Sequence, residues 1–234
     1  MALPSRIRLR LAAPFVAALA LSSPASALDP DKAFHHYVRN NWSIEQGLPQ
    51  ISALSLAQDR QGYLWVGTQA GLARFDGNRF LTFNPENTPG LRGIWIHDLH
   101  VDDDNRLWIA TYRGVSVRDA DGVRALPLAG NDPDRLLDTR DLQAMPSGEL
   151  LVAAPDGVYR VTEARLEMAW PLSRPATTLM ARGDELWVGS RGRVYRIAGG
   201  AVEMLPLPEG EDATSVTHLL EAHGQLWAGT TAGP

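Results

Sequence analysis

One short sequence pattern returns along this 234-residue chain at intervals of about 40 residues. It reads YLWVGTQAGLARF around Trp65, RLWIATYRGVSVR around Trp108, ELLVAAPDGVYRV around Leu151, ELWVGSRGRVYRI around Trp187 and QLWAGTTAGP around Trp227. The five anchor residues are 43, 43, 36 and 40 residues apart. Such a period in a strand-rich sequence is typical of the four-stranded blades of a β-propeller. The repeat therefore restricts the fold more than any other feature.

The first repeat unit divides into four predicted strands, at 51–57, 63–68, 72–75 and 79–83. Asp76-Gly77 lies between the last two strands, and Asp-Gly is a frequent hairpin turn because glycine accepts a positive φ. The same division applies to the later units. Their recognisable strands are predicted at 96–101, 106–111, 115–118, 123–128, 166–172, 202–207, 215–220 and 225–230.

These units predict an all-β propeller with four complete blades and part of a fifth, so that the ring is incomplete in this chain. The expected blades span approximately 51–84, 94–128, 139–172, 177–207 and 215–234. We expect the preceding segment, 28–50, to supply an outer strand that closes the ring. An unfinished blade would expose strand edges, so we expect a longer protein of which this is the front part. A parallel β-helix would show shorter coils, and a β-sandwich would not repeat its own sequence.

The tryptophans of the repeat are expected to fill the space between neighbouring blades. Leu151 replaces tryptophan at one anchor position, and this exchange suits packing better than stacking against a ligand. Glycines also recur just after the second strand, at Gly71, Gly114, Gly157, Gly192 and Gly233. Their recurrence at one place in the unit predicts a requirement of the backbone rather than a role in binding.

The N-terminus has the three parts of a secretory signal peptide. Arg6, Arg8 and Arg10 are followed by an apolar run at 11–21 and by Ala25-Ser26-Ala27. We expect cleavage after Ala27, so that 1–27 is a signal peptide and the mature chain is periplasmic without membrane contact. The alternative, an uncleaved anchor, would need about 20 apolar residues to span a bilayer.

Composition and motifs exclude several function classes. A net charge of −5 and a pI near 5.7 argue against a nucleic-acid partner, and the absence of cysteine excludes disulfides and thiolate chemistry. The acidic run at 101–105 is typical of a turn rather than of a calcium site. The histidines are scattered, and no catalytic arrangement stands out. We therefore predict no metal, no cofactor and no catalytic residue.

A candidate binding site follows from strand direction. In an antiparallel blade the first strand begins on the face where the second strand ends. That face is expected to carry Gln50, Gln69, Arg92, Trp95, Tyr112, Arg113, Arg140 and Arg191. Arginine binds carboxylate and sulfate groups through paired hydrogen bonds, so this rim predicts a small-molecule or saccharide ligand with an anionic group. The alternative is a set of solvated loop side chains.

The stretch WSIEQGLPQISALSLAQDRQGYLWVGTQAGLARFDGNRF, at 42–80, resembles the two-component-regulator propeller repeats. The resemblance extends over the mature chain and weakens in the third and fourth units. It implies a periplasmic sensor domain followed, in the full-length protein, by a membrane helix and a histidine kinase or diguanylate cyclase.

The resemblance therefore favours a ligand-binding sensor module that is not itself an enzyme and whose partner is a downstream signalling domain. Two alternatives stay open. One is a propeller lyase or hydrolase of the streptogramin-lyase kind, which would need a catalytic histidine and a metal-holding acid at the pore. The other is a structural interaction scaffold. The ligand, the total number of blades and a homodimer are left undecided.

Overall fold

The repeat units fold into separate antiparallel sheets in the computed structural model of the chain. The structure describes residues 33, 40–130, 132, 134–207 and 214–232. Within these residues there are four four-stranded sheets and one two-stranded sheet, each with its strands in chain order. The predicted all-β propeller is confirmed, and hydrogen bonds do not join the last described sheet to the first. The predicted signal peptide and almost all of 28–39 lie outside the described residues.

The strand bounds follow the repeat. The first two sheets consist of β1 (Ala53–Gln58), β2 (Leu64–Thr68), β3 (Gly71–Phe75) and β4 (Phe80–Phe83), then β5 (Ile96–Val101), β6 (Leu107–Thr111), β7 (Gly114–Asp119) and β8 (Gly122–Ala125). The next two consist of β9 (Leu142–Ala144), β10 (Leu150–Ala154), β11 (Gly157–Val161) and β12 (Leu166–Pro171), then β13 (Ala176–Arg182), β14 (Glu185–Ser190), β15 (Arg193–Ala198) and β16 (Ala201–Pro206). The described part of the fifth consists of β17 (Val216–Ala222) and β18 (Gln225–Thr230). We call these sheets blades 1 to 5.

Two local predictions differ from the structure. The hairpin between β3 and β4 is a four-residue loop, 76–79, in which the Asp76 carboxylate accepts hydrogen bonds from the backbone N–H groups of Asn78 and Arg79. The outer strand of blade 2 was predicted to reach Leu128 but ends at Ala125. Proline has no N–H to donate, so Pro127 cannot continue the ladder. Leu128 instead forms an isolated parallel bridge with Leu166 of blade 3.

The core of the molecule lies between consecutive blades. The second strand of each blade is the most buried, because side chains on both of its faces meet a neighbour. In blade 2, all five residues of β6 are buried. On one face Ile109 packs with Trp65 of blade 1, and on the other Trp108 packs with Val152 of blade 3.

The anchor tryptophans occupy these interfaces, as predicted. Trp65, Trp108 and Trp187 are 0%, 4% and 9% exposed, whereas Trp227 is 52% exposed. Trp187 faces blade 5, together with Val216 and Leu226. Trp227 lies on the face of blade 5 that no described blade covers. Its position in the repeat is the same, so the exposure measures the missing neighbour.

Each deeply buried indole also has a hydrogen-bond acceptor. The Nε1 of Trp65 donates to Asp59 Oδ2 at 2.8 Å, and the Nε1 of Trp108 donates to Asp102 Oδ2 at 2.8 Å. The Nε1 of Trp187 donates to Glu185 Oε2 at 3.2 Å. A buried N–H without a partner costs about 1–3 kcal/mol, so these carboxylates are part of the packing arrangement.

Two glycines show why the repeat contains this residue. Gly71 begins β3 with φ +138, and a Cβ there would lie 2.8 Å from the carbonyl oxygen of Phe83. Gly67 has ordinary φ, but a Cβ there would lie 2.8 Å from Cγ2 of Ile96 in blade 2. The first glycine allows a backbone turn, and the second allows two blades to approach closely. The predicted backbone requirement therefore applies to Gly71.

The segment before β1 packs on blade 1. A short 3-10 helix at Ile44–Gln46 begins at Ser43, whose hydroxyl accepts a hydrogen bond from the N–H of Glu45. The Trp42 ring lies 4.6 Å from that of Phe75, and Leu48 packs against Val66 and Phe80. Among the described residues, no helix has the length and apolarity needed to cross a membrane.

Candidate ligand-binding rim

The strand registers place the predicted site residues on one face, which we call the upper face. Ala53 pairs with Thr68, and Ile96 pairs with Thr111, so the start of each first strand lies beside the end of the second strand. The loops that connect blades 1 to 2 and 2 to 3, at 84–95 and 126–141, lie at the same end of the strands. These loops are long, and they build most of the relief of the upper face.

A pocket opens between the 84–95 loop and blade 2. Its volume is about 500 Å³, and we call it the rim pocket. Its lining consists of Pro85, Glu86, Pro89, Leu91, Arg92, Gly93, Ile94, Tyr112, Arg113 and Ala125. Three of the eight predicted site residues are in this set: Arg92, Tyr112 and Arg113.

Arg92 fixes the loop that forms the pocket wall. Its backbone N–H donates to Ser116 Oγ at 2.9 Å, and its Nη2 donates to the carbonyl of Leu126 at 3.1 Å. Ser116 Oγ in turn donates to the carbonyl of Gly90 at 3.0 Å. Arg92 is half-buried, so its first role is to hold the 84–95 loop on blade 2.

Tyr112 and Arg113 form the turn between β6 and β7 and face solvent. Tyr112 is 38% exposed, and its backbone N–H donates to the carbonyl of Trp95, which is itself 42% exposed. The guanidinium carbon of Arg113 lies 5.9 Å from the centroid of the Tyr112 ring. A Cβ on Gly93 would lie 2.7 Å from the same ring, so the glycine lets tyrosine lie against the loop. Two exposed rings and one arginine thus share a small area.

Arg140 lies next to this area but is already paired. Its guanidinium forms an ion pair with Asp138, whose carboxylate also lies 3.4 Å from Nδ1 of His97. Nδ1 of His97 donates to the carbonyl of Thr139 at 2.8 Å, and the His97 ring lies 5.5 Å from that of Trp95. Burial lowers the pKa of His97 below its usual value, so the imidazole is neutral at pH 7.

The remaining predicted residues are not in the lining of the rim pocket. The side-chain oxygen of Gln50 accepts a hydrogen bond from the N–H of Ser52 at 2.6 Å, which ties it to its own turn. Gln69 and Arg191 are exposed on blades 1 and 4. Sequence reasoning missed the apolar wall of the rim pocket, made by Pro85, Pro89 and Ile94, because it depends on the path of the 84–95 loop.

A second group that the sequence did not reveal stabilises the 126–141 loop. Nη2 of Arg135 donates to Asp156 Oδ2 at 2.9 Å and to the hydroxyl of Tyr159 at 2.8 Å. The Tyr159 hydroxyl donates to Asp156 Oδ2 at 2.8 Å. Burial and the neighbouring carboxylate raise the pKa of Tyr159 to about 12, so the phenol stays neutral. This cluster satisfies its own charges and leaves the rim pocket as the more open site.

The chemistry of the rim pocket is that of binding. It offers aromatic faces, a guanidinium group and the carboxylate of Glu86. Elsewhere in the described part of the chain, no group of three or more histidine, aspartate and glutamate side chains is placed to hold a metal ion.

Comparison with known proteins places these features in context. The model described as two component regulator propeller matches residues 47–70 and 90–113. Histidine kinase P4 of Formosa agariphila is 38% identical over 58 residues, which make up 24% of this chain and 4% of that protein. The extracellular domain of a hybrid two-component system from B. thetaiotaomicron has a TM-score of 0.68 at 24% identity, over 82% of this chain and 29% of that one.

A virginiamycin B lyase from Staphylococcus aureus has a TM-score of 0.59 at 14% identity, over 78% of this chain and 68% of that one. At these identities the solved structures show a shared fold. The chain spans 4% of the curated relative and 29% of the two-component domain. The matched repeats confirm the resemblance seen at 42–80. The chain is therefore a β-propeller segment that contains repeats of the two-component regulator propeller family.

Proposed function

We propose that the chain is an exported sensor module whose rim pocket binds a small molecule or saccharide that carries an anionic group. The observation that supports this most is the placement of Tyr112, Trp95 and Arg113 around a pocket of about 500 Å³. Ligand pockets combine apolar and aromatic walls with a few polar groups that fix orientation. The rim pocket has both parts.

Arg113 is the side chain best suited to an anionic group. It makes no ion pair within the described residues, whereas the guanidinium groups of Arg92 and Arg140 already have acceptors. A guanidinium binds a carboxylate through two parallel hydrogen bonds. Glu86 lies on the same lining and would repel an anion, so the anionic group is expected on the Arg113 side of the pocket.

Calorimetric titration tests the site with acidic and neutral oligosaccharides of matched size. We expect tighter binding of the acidic set, and binding that weakens with salt because the Debye length falls from about 30 Å at 0.01 M to about 10 Å at 0.1 M. Arg113→Ala should weaken acidic ligands roughly tenfold or more, since hydrogen bonds to charged groups contribute about 1.5–3 kcal/mol. Tyr112→Ala should weaken both sets.

Arg191→Ala is the matched control, because it removes an exposed upper-face arginine from another blade. Equal affinities for acidic and neutral ligands, or Arg113→Ala and Arg191→Ala with the same affinity as the parent, would count against the rim pocket.

Export and output are further parts of the proposal. The matched two-component structure is an extracellular domain, which supports an extracellular or periplasmic location. Cleavage after Ala27 would give a mature chain that begins at Leu28, and mass spectrometry of the exported protein would detect that terminus or an intact Met1. We propose that a signalling domain follows in a longer protein. In that case any kinase or cyclase activity belongs to the later part and not to these blades.

Further blades are also part of this proposal. Trp227 is 52% exposed and Leu220 is 62% exposed on the same face of blade 5. The equivalent tryptophans in blades 1, 2 and 4 are covered by the next blade, and a sixth blade would cover Trp227 in the same way. The lyase alternative is supported by the fold alone.

A further inference from the structure

Blade 3 departs from its neighbours at two positions that act together elsewhere. In blades 1 and 2 a tryptophan is paired with an aspartate six residues earlier, as Trp65 is with Asp59. Blade 3 has Leu151 in place of the tryptophan and Met145 in place of the aspartate. The indole and the acceptor of its N–H are therefore lost together.

The strand registers identify the surroundings of the missing ring. Phe83 pairs with Leu72 in blade 1 as Trp170 pairs with Val158 in blade 3. Leu107 pairs with Arg118 in blade 2 as Leu186 pairs with Ile197 in blade 4. Around Trp65, the Phe83 ring lies 5.5 Å away, the Arg118 guanidinium carbon lies 5.0 Å away, and Leu107 packs in the same cluster. The counterparts of these residues around Leu151 are Trp170, Ile197 and Leu186.

A pocket of about 360 Å³ lies at this counterpart position, between blades 3 and 4. Met145, Leu151, Trp170, Leu186 and Ile197 all line it. Its mouth is formed by the turn before β10 and the hairpin after β15, at the end of the strands opposite the rim pocket. We call it the lower pocket.

The mouth of the lower pocket is polar and acidic. Ser147, Glu149 and Asp184 lie there with Gly199 and Gly200. The Glu149 carboxylate pairs with Arg160, while Asp184 forms no ion pair among the residues that the structure describes. Asp184 is thus an available acceptor beside an otherwise apolar wall.

We infer that the lower pocket binds a small planar aromatic molecule of about the size of indole, with its N–H directed towards Asp184. The argument is the repeat itself, because the same place in blades 1, 2 and 4 holds an indole ring and a carboxylate acceptor. Apolar cavities of roughly 150 Å³ lined by aliphatic and aromatic side chains take up benzene. This inference concerns a different site from the rim pocket and does not depend on it.

Indole itself is the probe, added to the full chain in calorimetric titration. We expect saturable binding of indole by the parent chain. Leu151→Trp places an indole in the pocket and should weaken binding at least tenfold, while Leu136→Trp, at an exposed leucine of the 126–141 loop, should leave it unchanged. Ile197→Phe fills the pocket from blade 4 and should also weaken binding at least tenfold.

The folded state of each variant is checked by its cooperative thermal transition. If Leu151→Trp does not fold, Ile197→Phe decides the test against Leu136→Trp. Loss of indole binding in the filled variants with retention in Leu136→Trp supports the lower pocket. Absence of saturable binding to the parent chain, or equal binding by the parent and a folded filled variant, overturns it.

Discussion

A buried indole has one polar group, and in blades 1 and 2 a carboxylate from the preceding turn accepts its hydrogen bond. Asp59 also accepts hydrogen bonds from the N–H groups of Gln61 and Tyr63, so one side chain shapes the turn and satisfies Trp65. Blade 4 has a shorter turn, and there Glu185 takes over this role for Trp187 at 3.2 Å. Tryptophan and its acceptor are thus best regarded as one unit of the repeat.

Trp108→Ala should lower the free energy of unfolding by about 3–5 kcal/mol, the usual cost of truncating a buried large aromatic residue. Trp108 is 4% exposed, and its loss also removes the hydrogen bond to Asp102. Chemical denaturation of the full chain measures the change. Trp227→Ala is the matched control from the same repeat position, where the ring is 52% exposed. Equal losses for the two variants would show that exposure does not decide the contribution of the ring.

Prediction from the sequence worked at the residues whose role is set by their own repeat unit. Trp65 and Gly71 behave as their recurrence indicated. Arg92 does not act as a free rim cation, because its hydrogen bonds depend on where the 84–95 loop meets β7 and β8. The exposure of Trp227 depends on a neighbouring blade, which no single repeat unit specifies.

At the scale of the strand, two carboxylates join the innermost strands of blades 2, 3 and 4. Asp98 Oδ2 accepts the N–H of Leu142 at 2.8 Å. Asp141 Oδ2 accepts the N–H of Leu179 at 2.6 Å and the hydroxyl of Thr178 at 2.8 Å. Each aspartate therefore reaches the strand of the next blade.

The two carboxyl groups also interact with each other. Burial and the nearby Asp141 raise the pKa of Asp98 to about 7. The strands β1, β2, β6 and β9, which surround this part of β5, contain no charged residue. His97 and His100 are on β5 itself, and His97 is engaged with Thr139. At neutral pH the pair is thus close to holding one shared proton.

This pair predicts a specific pH dependence of stability. The folded protein holds the Asp98 proton more tightly than the unfolded chain, whose aspartate pKa is about 3.8. The stabilisation is therefore complete below about pH 4 and is lost as the pH rises towards 7. A shift of this size corresponds to a few kcal/mol on the order of 1.36 kcal/mol per pKa unit.

Asp98→Asn keeps the acceptor for Leu142 and removes the titrating group. The variant should lose less stability than the parent between pH 4 and pH 8, measured by denaturant unfolding across this range. Asp103→Asn is the control, since Asp103 is a fully exposed carboxylate in the turn of the same blade. The parent and Asp98→Asn with the same pH profile would contradict the shared proton.

The strand order could be predicted from the sequence, since each unit alternates in the way a half-buried sheet requires. The irregularities could not. The register shift between Ile96 and Asp98, which directs the Asp98 carboxylate towards blade 3, has no sequence signal of its own. The early end of β8 could have been expected from Pro127, and the prediction gave that proline too little weight.

At the scale of the whole molecule, the blades form a series in which each one covers the tryptophan of the one before. The first and last described blades have open faces. On blade 1, Leu54 and Leu56 are 42% and 61% exposed, and on blade 5, Leu220 and Trp227 are 62% and 52% exposed. Contiguous exposed apolar side chains mark surfaces that are covered in the functional assembly. The rim pocket and the lower pocket both lie away from these faces.

The central claim is that the chain is a stretch of a larger propeller whose next blade covers Trp227. Hydroxyl-radical footprinting read by mass spectrometry reports the oxidation rate of every tryptophan in one experiment. In the 234-residue chain we expect fast oxidation of Trp227 and slow oxidation of Trp65 and Trp108. In a chain extended through the downstream reading frame, Trp227 should become as protected as Trp108. If Trp227 oxidises equally fast in both chains, or Trp65 and Trp108 oxidise as fast as Trp227 in the shorter chain, the account is contradicted.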